Sequence, residues 1–197
     1  GQAGNGLYVI DLMSMSTKSI HTSASTYSSL SWNEAGDALA ALYGNKADTL
    51  MQRDNTLLWA KNFGIGTTTS VNYFNDAPEG HVISEYAGLR WNEAGTQLYL
   101  GIKEQEDELK KEDELEANVN VWHWKDDVVQ TAQEVRAGRE RRSTHLSVFN
   151  LASEKLVQLA NDQLAGVRTN DKSKWAVRLY NKTYRVKRGH LAVFAYV

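Results

Sequence analysis

The stretch Leu30-Ser-Trp-Asn-Glu-Ala-Gly-Asp-Ala-Leu-Ala-Ala-Leu-Tyr43 returns as Leu89-Arg-Trp-Asn-Glu-Ala-Gly-Thr-Gln-Leu-Tyr-Leu-Gly-Ile102, a repeat with a period of 59 residues. That period is too short for a domain, so the chain reads as an array of similar units. Each unit is a strand ending at Trp32 or Trp91, a polar turn through Asn-Glu-Ala-Gly, and a second strand carrying Leu39-Ala-Ala-Leu42 or Leu98-Tyr-Leu100. Gly36 and Gly95 fall where a positive φ has no steric cost. A hairpin recurring every few tens of residues among short strands is the pattern of a propeller blade. The expected fold is therefore all-β, a partial β-propeller of four-stranded antiparallel blades.

Two further strand types keep step with the hairpin. Leu7-Tyr-Val-Ile-Asp-Leu12 followed by Lys18-Ser-Ile-His-Thr22 resembles His145-Leu-Ser-Val-Phe-Asn-Leu151 followed by Lys155-Leu-Val-Gln-Leu159. Each pair is an alternating strand, a polar turn and a shorter strand, as expected for the third and fourth strands of a blade. Thr56 to Ala60 with Val71 to Phe74 takes the same place in the middle unit, and Gly189 to Phe194 opens it again. A degraded hairpin spans Val167 to Tyr180, with Asn170-Asp171 in the turn and Thr169 where the tryptophan stood. The expected division is a blade part at 1–22, a blade at 27–74, a blade at 82–160 with insertions at 104–116 and 126–142, and a blade part at 165–197. About three blade equivalents fall short of the roughly four to eight that close a propeller. Open edges are expected, to be covered by further chain or by self-association.

At 197 residues and 42% apolar content the chain can bury a core, and a net charge of −2 removes the basic excess that non-specific nucleic-acid binding needs. No run of about 18 apolar residues is present, so no helix is expected to span a membrane. The absence of cysteine excludes disulfides, thiolate metal sites and a cysteine nucleophile. The opening Gly1-Gln-Ala-Gly-Asn-Gly6 carries no initiator methionine and no signal-peptide pattern, and suggests a piece of a longer protein.

Of the two insertions, Glu104 to Glu116 is strongly acidic and reads as a solvated hairpin tip, without the ligand spacing and central glycine of a calcium loop. Asp126 to Arg139 places Val128, Val129, Ala132 and Val135 at helical spacing and reads as a short amphipathic helix between blade strands.

The densest cluster of polar and aromatic side chains is Val119-Asn-Val-Trp-His-Trp-Lys-Asp-Asp127, with Arg136, Arg139, Arg141 and Arg142 close behind. This stretch, the following glutamine- and arginine-rich segment and the His145 to Leu151 strand resemble the N-terminal β-propeller of bacterial prolyl oligopeptidase-family serine peptidases. The Trp-Asn-Glu-Ala-Gly hairpins are similar to the repeats of that family and of TolB-like propellers. The resemblance spans nearly the whole chain, and the Trp-His-Trp-Lys-Asp stretch is its more specific part. It implies a propeller that caps an α/β-hydrolase domain and gates peptide substrates, in a periplasmic or secreted setting or else a cytoplasmic one. No Gly-x-Ser-x-Gly elbow occurs here, so no catalytic residue is assigned and this piece is expected not to hydrolyse peptides. Paired glutamates that hold a substrate amino terminus in some relatives are not matched, since Glu134 lies between Gln133 and Val135.

Strand alternation puts Trp122 and Trp124 on one face, packed between blades, and His123 and Lys125 on the other. His123, Lys125, Asp126, Arg136 and Arg139 are the candidate contacts with substrate or with the hydrolase domain. Against this stands a surface ion pair that contributes little, and arginines that merely balance the acidic insertion. The remaining histidines lack metal-ligand spacing, and no metal or cofactor is expected. The expected partners are further blades with the hydrolase domain, or a second copy through open blade edges, and a peptide. The other open reading is a free-standing TolB-like propeller that binds proteins or small ligands.

Overall fold

The computed structural model describes residues 5–63, 68–108, 130–164, 166–170, 172 and 175–179. The elements in chain order are β1 (Gly6–Ile10), β2 (Thr17–Thr22), β3 (Thr26–Trp32), β4 (Ala38–Asn45), β5 (Asp54–Lys61), β6 (Ser70–Phe74), β7 (His81–Ser84), β8 (Arg90–Trp91), β9 (Gln97–Glu104), α1 (Gln130–Glu140), β10 (His145–Asn150), β11 (Lys155–Gln158), β12 (Gly166–Thr169) and β13 (Ala176–Leu179). All strand pairing is antiparallel among the described residues, which makes the molecule all-β with one short helix.

Strands β3, β4, β5 and β6 form one antiparallel meander, and β8, β9, β10 and β11 form a second. Strand β7 continues the first strand of the second meander: it pairs with the far half of β9, from Gly101 to Glu104, while β8 pairs with Leu98 and Tyr99. The two meanders join in one nine-stranded sheet through a single register pair, Asn55 with Ile83. Asn55 is fully buried there, and its Nδ2 donates to the Ile83 carbonyl at 2.8 Å and to Glu85 Oε2 at 2.7 Å. The hairpins β1–β2 and β12–β13 are separate two-stranded sheets. These sheets are open; no barrel or complete propeller closes among the described residues.

Packing explains why Ala38 to Leu42 reads as a continuous apolar run rather than an alternation: β4 is covered on both faces, as such runs are when a strand has no solvated side. On one face Ala38, Ala40 and Leu42 join Leu57 and Trp59 of β5 and meet Ile83, Trp91, Leu98, Leu100, Ile102 and Phe149 of the second meander. On the other, Leu39, Ala41, Leu58 and Ala60 meet Leu7 of β1 and Ile20 of β2. The first meander is thus the middle of three layers.

Helix α1 lies within the expected insertion, but its Val135 is 86% exposed, so the apolar stripe that periodicity suggested gains no cover at that position. Val128 and Val129, like His123, Lys125 and Asp126, lie outside the described residues. The base of the acidic insertion is tied down by backbone, amide and ionic contacts: Gln52 N donates to Gln105 Oε1 at 2.9 Å, Met51 N to the Glu106 carbonyl at 2.8 Å, and Lys46 Nζ pairs with Glu108 at 2.8 Å.

Between the β1–β2 hairpin and the first meander sits an aromatic group. His21 Nδ1 lies 2.7 Å from the Tyr27 hydroxyl, and the His21 ring is 4.7 Å from the Tyr43 ring and 5.4 Å from that of Tyr73. Burial holds the His21 imidazole below its ordinary value of 6.5, because a charged ring loses solvation there. The unfolded chain therefore binds this proton more readily than the folded one. The stability His21 contributes is full above pH 6.5 and falls as pH drops below it. Urea midpoints measured at pH 7.5 and 5.5 are expected to fall more for the wild type than for His21→Phe; equal falls would refute the assignment.

Candidate functional site

The two copies of the turn fold alike because each is built on the same asparagine. Asn33 N donates to the Ala38 carbonyl and Asn92 N to that of Gln97, both at 3.0 Å. The Asn33 side-chain oxygen accepts from the amides of Asp37 and Ala38 at 3.0 and 2.9 Å, and that of Asn92 from Thr96 and Gln97, both at 2.9 Å. Gly36 and Gly95 adopt φ of 70° and 63°, a region where a Cβ is disfavoured. Two backbone donors are left without this partner when the asparagine is shortened. Asn92→Ala is expected to lower stability by about 1–3 kcal/mol, read from thermal unfolding, and a loss within error would refute the role.

Folding brings the ends of these turns together. The Trp91 indole is buried and its Nε1 donates to the Ser31 carbonyl at 3.0 Å, so the second hairpin is fastened to the first one residue before the first tryptophan. The third hairpin joins the row: Arg90 Nη2 donates to Thr169 Oγ1 at 2.8 Å, and Lys172 Nζ lies 3.3 Å from Glu93 Oε2. Thr169 occupies the place that tryptophan holds in the other two hairpins. The Arg90 guanidinium also lies 4.3 Å from the centre of the Tyr99 ring, a cation–π contact that fixes its direction. The Lys172 to Glu93 pair is exposed and contributes little to stability.

Between the three hairpins is an open cleft of about 690 Å³. Trp32, Trp91, Arg90, Glu34, Glu93 and Lys172 are among the side chains that line it. An aromatic wall, two carboxylates and two cations thus face one cleft. No group of three or more metal-ligating side chains occurs among the described residues.

The sequence-predicted contacts are placed elsewhere or lie outside the described residues. Arg136 and Arg139 are exposed on α1, and Arg139 lines a separate recess with Arg142, Ser143 and Thr144. Neither arginine lines the cleft. His123, Lys125 and Asp126 are outside the described residues. Sequence reasoning treated Glu34 and Glu93 as parts of a turn and Arg90 as part of a strand, and missed them as cleft residues. Their signal was in the repeat: equivalent turn positions of successive units stand side by side once the units pack in order. A scan against protein families and searches of curated proteins and solved structures find no match to this chain.

Proposed function

We propose that this chain is a non-catalytic sector of a β-propeller whose inner turns form a binding platform, and that it gates peptide access in a prolyl oligopeptidase-like serine peptidase. The observation that carries the reading is the convergence of three equivalent hairpins on one cleft, through the Trp91 to Ser31 and Arg90 to Thr169 hydrogen bonds. In a propeller the first strand of every blade lies nearest the axis, so equivalent turns meet at one mouth. Face-to-face layers, each built from a four-stranded meander or part of one, fit the same arrangement. The platform role follows from what lines the cleft, the peptidase setting from the sequence resemblance, and the non-catalytic assignment from the missing nucleophile elbow.

The test is a titration of this chain with fluorescently labelled unstructured peptides, paired with a fluorogenic dipeptide assay. Saturable peptide binding weakened by Arg90→Ala, with no turnover, is the expected result. Turnover abolished by a serine-directed reagent would overturn the non-catalytic assignment, and absence of binding would overturn the platform.

A further inference from the structure

Arg90, Lys172, Glu93 and Glu34 all line the cleft, and the first three are engaged within the protein. Lys172 Nζ lies 3.3 Å from Glu93 Oε2, while Arg90 is held by Thr169 Oγ1 at 2.8 Å and by the Tyr99 ring at 4.3 Å. Glu34 differs. It is exposed, and no ion pair reaches it among the described residues. The repeat explains why. Glu34 and Glu93 hold the same position in successive turns, and Glu93 finds its cation on the following hairpin, two residues after Asn170. Two residues after the equivalent Asn92 stands Ala94, so the same step from Glu34 meets a methyl group. Gly95 comes next, and Asn33 Nδ2 stands only 3.2 Å from where a Cβ on that glycine would be. A carboxylate position that is filled once inside the chain is therefore left open once.

The open position has an aromatic neighbour. Trp32, two residues before Glu34, is 48% exposed and lines the same cleft, whereas the equivalent Trp91 is 6% exposed. The Phe63 ring, edge-on at 5.2 Å between centres, steadies the Trp32 indole. An exposed indole beside an unpaired carboxylate suits a side chain with an apolar stem and a cationic head. The stem lies along the ring, and the head is drawn both by the ring's negative face and by the carboxylate.

We infer that Glu34 and Trp32 form a subsite for a lysine side chain of a peptide bound in the cleft. The inference rests on the peptide-platform reading proposed above and names the side chain that this end of the platform selects. The pair of Glu93 with Lys172 is the internal precedent: at this position of the turn a carboxylate takes an ammonium from its neighbour, and where the neighbour is Ala94 the ammonium comes with the ligand. An exposed ion pair alone contributes little, so the selectivity depends on the indole and the carboxylate acting on one head group.

The probes are capped, dye-labelled peptides of serine and glycine that differ only in one central residue: lysine, norleucine or glutamate. Fluorescence anisotropy is expected to show the lysine peptide bound about three- to tenfold more tightly than the norleucine one, with the glutamate peptide weakest and the preference shrinking as salt is raised. Glu34→Gln is expected to bring the lysine-to-norleucine ratio to about one, and Glu34→Lys to turn the preference toward glutamate. Ala94→Lys, which supplies the missing ammonium from within, is expected to abolish the lysine preference with Glu34 intact. Both sites are exposed turn positions, and circular dichroism of each variant guards against misfolding. Equal binding of the lysine and norleucine peptides by the wild type, or a lysine preference that survives Glu34→Gln, would overturn this inference and leave the platform standing. Failure of every peptide to bind would remove the platform reading, and the inference with it.

Discussion

Trp91→Ala is expected to lower stability by about 3–5 kcal/mol, a large part of the roughly 5–15 kcal/mol that holds a domain of this size folded. Two effects combine. Removing a buried indole leaves a cavity among Leu89, Leu98 and the β4 and β5 residues of the same cluster. It also strips the Ser31 carbonyl of its N–H partner. Trp91→Phe separates them, since the ring keeps most of the apolar volume while the hydrogen bond is lost; it is expected to cost about 1–3 kcal/mol. Urea unfolding followed by circular dichroism measures both. If Trp91→Ala cost no more than an exposed substitution, the indole would not be what fastens the second hairpin to the first. Trp32→Ala is the internal control: at the same place in the repeat but half exposed, it is expected to cost the isolated chain much less.

Phe149→Ala is expected to cost a similar 3–5 kcal/mol, for a different reason. Phe149 is fully buried on β10, and its ring centre lies 5.1 Å from that of Trp59 and 4.5 Å from that of Phe74. These three rings carry the packing from the second meander onto β5 and β6 of the first. Phe149→Leu, which keeps most of the volume, is expected to cost under about 1.5 kcal/mol. A leucine variant as unstable as the alanine one would mean that ring geometry, and not volume, decides the contact.

The hairpins were legible in the sequence because their causes are local. Asparagine at the head of the turn caps two amides, glycine takes the positive φ, and apolar residues on either side fix the strands. The same holds for β1–β2, for β10–β11 and for the helix near Gln130. The unbroken run from Ala38 to Leu42 served in the sequence only to place a strand, and the structure shows it covered on both faces. The candidate site was not. His123, Lys125 and Asp126 lie outside the described residues, and Arg136 and Arg139 are exposed on α1 away from the cleft. The cleft assembles Arg90, Glu93, Thr169 and Lys172 across separations of about eighty residues, which no local pattern encodes.

The sequence by itself determined that this protein is a succession of similar antiparallel hairpins, since turn chemistry and strand patterning act over a few residues and need no partner. Only the tertiary structure decided that Trp91 is sealed and Trp32 left half open, that Asn55 pins the two meanders together, and that three turns share one cleft. Identical motifs acquire different surroundings because burial and hydrogen-bond partners are properties of neighbours, and neighbours are set by how the layers stack.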